Sequence, residues 1–199
     1  MHQVLSWAPL GGGARRASTI VNHQIDPGDR AATERPRPYL EALLRRLELE
    51  PRAAVAMMTG ADIRKASYAM VRRGELIAGA WCTAGCSNAL RIGDPATNGK
   101  MRPGTINIAL VVNQPLSACA MAEALAMVTE ARVAAVHEAG VSSTRTLRPA
   151  TGTGTDCIVI ASPVGGSAHT YCGKHTVIGE LIGKAAIRSC SGALRHRGL

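Results

Sequence analysis

The clearest strand in this chain, residues 105–112 (TINIALVV), is followed within a few residues by Ser117. That serine can cap an Ala-rich helix reaching about Ala139, where Gly140 ends it. Strand-like and helix-like stretches interleave in this way along the whole sequence, and no other feature limits the fold so strongly. Residues 18–26 (STIVNHQID) read as a strand closed by the turn Asp26-Pro27-Gly28-Asp29, and residues 30–36 as a polar loop. Pro38 opens a helix in which Leu40, Leu43, Leu44 and Leu47 form one stripe, ending before Pro51. Residues 53–59 form a short apolar strand. Asp62 then caps an expected helix with Ile63, Ala66 and Met70 on one face, stopped by Gly74. Residues 75–83 and 156–161 read as further strands. The last helix starts near Thr176, with Ile178, Leu181, Ile182 and Ala185 aligned.

The order lacks the regular βα alternation of a barrel and the glycine fingerprint of a dinucleotide fold. It predicts an α/β chain: a single domain over residues 1–199, with a mixed β-sheet packed in layers with helices. Residues 1–16 are expected to be irregular, because Gly11-Gly12-Gly13 is too flexible for the inside of an element, and residues 195–199 form a short basic tail.

Length and composition narrow the function. A chain of 199 residues can bury a core without staples, and its six irregularly spaced cysteines are too sparse for a disulfide scaffold. No run of 18 apolar residues is present, so no membrane-spanning helix is expected. MHQVLSWAPLGGGARR lacks a basic segment ahead of an apolar one, so a cytoplasmic location is expected. The formal net charge of +9 raises the question of nucleic acid. The arginines are scattered as pairs such as Arg15-Arg16, Arg45-Arg46 and Arg72-Arg73, however, and aromatic stacking platforms are scarce. The expectation is therefore no nucleic-acid partner, with a homo-oligomer left open.

Three polar, glycine-bearing segments stand out: TAGCSNALRIGD (83–94), TGTGTD (151–156) and YCGKHTVIGE (171–180). Glycine lets backbone N–H groups approach a ligand, while the neighbouring carboxylate, hydroxyl or imidazole can move protons. His175, beside Lys174 at a helix N-terminus, is the best general acid/base in this reading, since lysine and helix dipole both favour neutral imidazole. Asp94 and Asp156 can orient it, act as the base, or hold substrate amides, and Glu180 can line the cleft from the first helical turn. Turn caps account equally well for the aspartates, and a solvated surface residue for the glutamate. Cys172 is the one thiol placed to be a nucleophile, although buried packing is the commoner fate of a free cysteine. Thr151 raises the separate idea of a self-processing threonine enzyme. Glu123, Glu130 and His137 read as the wet side of the long helix. No HExxH or paired CxxC supports a metal site.

Taken in order, SWAPLGGG (6–13), TAGCSNALRIGD (83–94), GTINIALVVN (104–113), TGTGTD (151–156) and GKHTVIGELIG (173–183) resemble the adenosylcobinamide amidohydrolase family, CbiZ. The resemblance spreads over nearly the whole chain. It implies hydrolysis of the amide joining aminopropanol to the corrin ring of adenosylcobinamide, giving adenosylcobyric acid for corrinoid salvage and coenzyme B12 synthesis. Adenosylated cobamides such as pseudocobalamin are implied as further substrates. The partner is then a small corrinoid whose cobalt belongs to the substrate, and no protein cofactor is expected. Within the matching blocks His175, Asp94, Asp156 and Glu180 are the catalytic candidates. Asn88, Arg91, Thr105, Asn107, Thr153, Thr155 and Lys174 are the candidates for holding the amide-covered corrin rim. A corrinoid-binding protein without catalysis is the rival from another class. The DxHxxG pattern of the B12-binding Rossmann module is absent, and Cys86 stands where an aliphatic residue is expected.

Overall fold

The structure is a computed structural model and describes residues 1–96 and 104–196. Its elements in chain order are β1 (His2–Ser6), β2 (Gly13–Ala17), β3 (Thr19–Gln24), α1 (Arg30–Glu34), α2 (Pro36–Arg46), β4 (Ala54–Thr59) and β5 (Ser67–Arg73). Then follow β6 (Leu76–Ala84), β7 (Ala89–Leu90), β8 (Ile106–Val112), α3 (Ala118–Glu138), β9 (Gly152–Thr153), β10 (Cys157–Pro163) and α4 (Val177–Arg195). A six-stranded sheet runs β2-β1-β10-β8-β6-β5, with β10 and β8 parallel and the other neighbours antiparallel. β3 and β4 form a separate parallel pair, and β7 and β9 a short antiparallel ribbon. The mixed α/β architecture matches the expectation.

Period-two alternation explains the layering. On one face of the large sheet, Ile106, Ile108 and Leu110 of β8 join Ile158 and Ile160 of β10 against α3 and α4. On the other face Val4, Ala109, Val159 and Ala161 meet Val55 and Met57 of β4. The alternate β4 residues Ala54 and Ala56 point away, toward Leu40, Leu43 and Leu44 of α2. The layers are thus helices, six-stranded sheet, two-stranded sheet and helix. The strand TINIALVV is largely apolar, Thr105 and Asn107 apart, because both of its faces are covered. Each fully buried Leu or Ile adds about 1.5–3 kcal/mol of transfer free energy to this stack.

Several sequence expectations need correction. The helix expected after Asp62 is a single 3-10 turn, Ile63–Lys65, followed by strand β5. Asp62 does cap, accepting from the Arg64 N–H, but Gly74, at φ 57°, turns a hairpin into β6. The three- and four-residue spacing of Ile63, Ala66 and Met70 therefore reflects no helical face; exposed Met70 alternates with the half-buried Ala69 and Val71 on a strand. Residues 1–16 are not irregular: β1 and β2 extend the large sheet beyond β10. Gly11, at φ 75°, brings the backbone so close to Ala54 that any side chain there would collide with its carbonyl. Residues 30–36 hold helix α1, capped by Asp29, whose carboxylate accepts from the Ala31 and Ala32 N–H groups. At the C-terminus Arg195 still belongs to α4, and residues 197–199 of the expected tail lie outside the described residues. So do residues 97–103 of the irregular stretch 84–103, which otherwise contains β7.

Candidate active site

The seam between the large sheet and the β3–β4 pair opens into two neighbouring cavities, separated by the end of β4. The first, about 400 Å³, is lined by His2, Asn22, Met57, Trp81, Thr83 and Asn107 among others. The second, about 570 Å³, is lined by Thr59, Asn88, Gly104, Thr105 and Thr155 among others.

Asn107 and Thr83 are direct cross-strand partners on β8 and β6, and both face away from α3 and α4. Their side chains are joined through β3. Asn22 Nδ2 donates to Thr83 Oγ1 at 3.0 Å, and Asn107 Nδ2 donates to Asn22 Oδ1 at 2.8 Å and to the Met58 carbonyl at 2.8 Å. With both Asn107 N–H donors used, the orientation of its amide is set, and its buried Oδ1 accepts no hydrogen bond among the described residues. Asn88 Oδ1, in the wall of the second cavity, is likewise buried without a donor. A buried acceptor without a donor costs about 1–3 kcal/mol, so these two oxygens mark places along the seam where a water or ligand N–H or O–H group can bind.

Around the second cavity the TGTGTD segment builds a clamp. Asp156 Oδ1 accepts from the Ile106 N–H at 2.9 Å and from the Thr153 hydroxyl. Its Oδ2 accepts from the Thr153 N–H at 2.8 Å and pairs with Arg132 of α3 at 3.0 Å. The two charged side chains are only 6% and 13% exposed. All the accepting capacity of this carboxylate holds β9 and β8 in place, which makes Asp156 a positioning residue in this geometry. Thr155 donates to the Gly104 carbonyl at 3.0 Å and lies 2.9 Å from the Thr105 hydroxyl. Thr153 reaches the same carbonyl at 3.3 Å.

The remaining sequence candidates stand elsewhere. Asp94 accepts from the Arg91 N–H at 2.7 Å, from Ser143 at 2.5 Å and from Thr146 at 2.8 Å; these bonds hold its carboxyl below the usual carboxylate range. Arg91 donates to the Pro149 carbonyl at 3.0 Å, so this pair ties two loops together. His175, Lys174 and Glu180 lie at the N-terminal end of α4, on the helix side of the large sheet, whereas both cavities open on the opposite side. Glu180 pairs with Arg73 at 3.0 Å and Lys184 at 2.5 Å, which lowers its pKa, and Lys174 pairs with Glu130. Glu130 is therefore engaged, and so is Glu123, which accepts from the Cys172 N–H at 2.7 Å. The structure thus gathers Asn88, Thr105, Asn107, Thr153, Thr155 and Asp156 at one end of the seam and does not bring His175 to them.

Cys172 is fully buried, and burial together with Glu123 pushes its thiol up to about 11. Its Sγ–H donates to the Ala120 carbonyl at 2.9 Å, so the buried thiol sits in the packing beneath α3 rather than in a cavity wall. The Thr151 hydroxyl accepts from the Ile92 N–H at 2.8 Å, and its own N–H donates to Leu90. Among the described residues no group of three His, Cys, Asp or Glu side chains is placed to hold a metal, and no helix is long and apolar enough to cross a membrane.

Sequence reasoning missed His2, Asn22, Thr83 and Trp81. The signal for Thr83 was the alternation of β6, where a buried hydroxyl shares one face with Trp81. His2 gave none, because the N-terminal segment did not read as a strand.

The family described as adenosylcobinamide amidohydrolase (CbiZ) matches residues 1–198. An uncharacterized protein of Methanocaldococcus jannaschii is 32% identical over 92% of this chain and 78% of its own length. The adenosylcobinamide amidohydrolase of Methanosarcina mazei is 28% identical over 95% of this chain and 88% of its own. Among solved structures, a protein of Pyrococcus horikoshii OT3 aligns at 13% identity and a TM-score of 0.34, over 69% of this chain and 39% of that one. With nearly its whole length matched, the chain belongs to the adenosylcobinamide amidohydrolase family.

Proposed function

We propose that this protein hydrolyses the amide between aminopropanol and the corrin ring of adenosylcobinamide, or of related adenosylated cobamides, and that the substrate lies along the seam between the two sheets. The observation carrying this reading is the pair of buried oxygens of Asn88 and Asn107, without partners among the described residues, in adjoining cavity walls. A corrin rim studded with primary amides offers the N–H donors that these acceptors lack. Membership of the family supports the same reading.

Amide hydrolysis needs a group that takes a proton from water and returns it to the leaving amine. Among the residues lining the two cavities, His2 carries the one imidazole. Its cross-strand partner is Ala17, and Thr19, two residues on, lines the same cavity with a hydroxyl that can donate to the developing oxyanion. In this mechanism His2 takes a proton as the water oxygen bonds to the carbonyl carbon. The tetrahedral intermediate then collapses with cleavage of the C–N bond, and the imidazolium returns its proton to the departing amine. The products are the corrin acid and 1-amino-2-propanol. His2 faces Pro163 and Asn107 faces Cys157, six residues apart on β10, so the two ends of the groove are separated by about 20 Å. A macrocycle bearing an extended arm suits that span.

The test is incubation of the purified protein with adenosylcobinamide in dim light, read by mass spectrometry, beside His2→Gln and His175→Gln. The expected result is adenosylcobyric acid from the wild type, a loss of about 10²–10⁴ in kcat for His2→Gln, and little change for His175→Gln. Loss confined to His175→Gln moves the proton chemistry to the helix side and removes the seam from the mechanism. Binding without turnover favours a corrinoid carrier.

A further inference from the structure

Five aromatic residues of the Phe, Trp and Tyr types occur in the whole chain, which from the sequence promises little stacking on a corrin face. The fold concentrates two of them. Tyr68 of β5 and Trp81 of β6 are cross-strand partners with ring centroids 4.7 Å apart and planes inclined at 36°. Gly79, two residues before Trp81, leaves its place on the sheet open to the Tyr68 ring, which lies within van der Waals reach of the missing Cβ. Met70 is the cross-strand partner of Gly79 and stands on the same face. The β3–β4 pair covers the large sheet over β1, β10 and β8, where its apolar contacts lie, and leaves this outer end of the face open. Tyr68 is 50%, Met70 59% and Trp81 47% exposed, and Ile63 on the adjoining 3-10 turn is 44% exposed.

We infer that Tyr68, Met70 and Trp81, with Ile63 beside them, form the platform on which the flat apolar face of the corrin macrocycle lies. This rests on the seam being the substrate site. Continuity argues for that occupant. Trp81 and Ile63 line the first cavity as well as the open face, so the patch is the cavity mouth spread outward. The same cavity is lined by Asn107, whose buried Oδ1 has no donor among the described residues. A ligand with a broad apolar face and a rim of amide N–H groups meets both features at once. A contiguous exposed apolar patch of this kind marks a binding surface, and aromatic rings provide large contact area at small entropic cost.

The experiment measures binding of cobinamide and of cobyric acid to the wild type, Trp81→Ala, Trp81→Phe and Tyr68→Ala by equilibrium dialysis. The two probes share the ring and differ by the aminopropanol arm. The platform predicts that Trp81→Ala weakens both probes alike, by about tenfold or more, that Tyr68→Ala weakens both by less, and that Trp81→Phe largely restores binding. Unchanged affinity in Trp81→Ala, beside a wild type that binds and turns over substrate, overturns the platform and leaves the proposed reaction standing. Weakening of cobinamide alone also overturns it, because the contact would then be with the arm. A wild type that binds neither probe removes the seam reading and the platform together. A Trp81→Ala protein that sediments as a monomer where the wild type is a dimer, with unchanged corrinoid affinity, assigns the patch to a second copy of the chain instead.

Discussion

Replacing Asp156 separates a structural carboxylate from a catalytic one. In Asp156→Ala, Arg132 keeps its place, only 13% exposed, without its counter-charge, and the N–H groups of Ile106 and Thr153 lose their acceptor. Removing one partner of a buried pair costs about 3–5 kcal/mol, mostly because the other charge stays buried. Total stabilities of folded domains run to about 5–15 kcal/mol, so this is a large share. At about 2–4 °C per kcal/mol for a chain of this size, the melting temperature should fall by about 10 °C. The assay is urea denaturation followed by far-UV circular dichroism, with turnover of adenosylcobinamide measured well below the new midpoint. The clamp reading expects a lower midpoint in Asp156→Ala, partial recovery in the double variant Asp156→Ala with Arg132→Met, and substantial residual turnover wherever the protein is folded. A loss below about 1 kcal/mol, together with abolished turnover, would refute it and return Asp156 to the role of base.

The other predictions concern the same region and the buried thiols. Gly152→Ala drives a methyl group into the Asp156 carboxylate and the Arg132 guanidinium, and should cost about 1–3 kcal/mol in the same denaturation assay; an unchanged midpoint counts against the clamp geometry. Asn107→Ala should weaken cobinamide binding by about tenfold or more in equilibrium dialysis, since it removes the unpartnered acceptor; equal binding would leave the cavity without a role. Burial pushes the Cys157 and Cys172 thiols up to about 11 from 9.0. Their raised folded-state values mean that the stability they contribute is whole below pH 9 and is lost as the pH rises through 11, so urea midpoints should decline over that window. At pH 8 a thiol reagent should modify exposed Cys119 in the native protein and reach Cys157 and Cys172 only on unfolding; prompt native modification of Cys172 contradicts its burial.

What could be read from the sequence followed from local pattern. The strand at 105–112, the helix capped by Ser117 and the last helix capped by Thr176 each carry their own signal, and the structure places them close to where that signal points. Residues 62–74 misled because apolar residues three and four apart mimic a helical face, while the deciding influence is the partner strand β6 across the Gly74 turn. The N-terminal strands were hidden for the same reason: β1 is held by β10, about 155 residues away in the chain. Site residues were harder still. GTINIALVVN and TAGCSNALRIGD contain Asn107 and Asn88, two of the three asparagines that line the cavities, yet His175 sits in an equally suggestive block and belongs to the helix layer. Which side of a sheet a segment occupies is a property of the assembled layers, and a block of sequence does not carry it.

The layers also explain why the seam holds polar groups at all. Along most of the contact between β4 and the large sheet, Val55 and Met57 meet Val4, Ala109 and Val159 in ordinary apolar packing, which needs no ligand to be stable. Toward the end of β4 the lining turns polar. There Asn22, Thr83 and Asn107 replace aliphatic residues and bond to one another, and one acceptor is left over. An apolar trio would spare the cost of that buried oxygen, so stability alone does not account for the arrangement. The second oxygen without a donor among the described residues, of Asn88, lies beside Gly104, whose carbonyl accepts from Thr155. Two such costs, in adjoining cavities of an otherwise apolar interface, favour recognition of a donor-rich ligand over stability as the reason for these residues. They support the proposed recognition of amide groups near the end of β4, while the proposed proton transfer rests separately on His2, the imidazole in the wall of the first cavity.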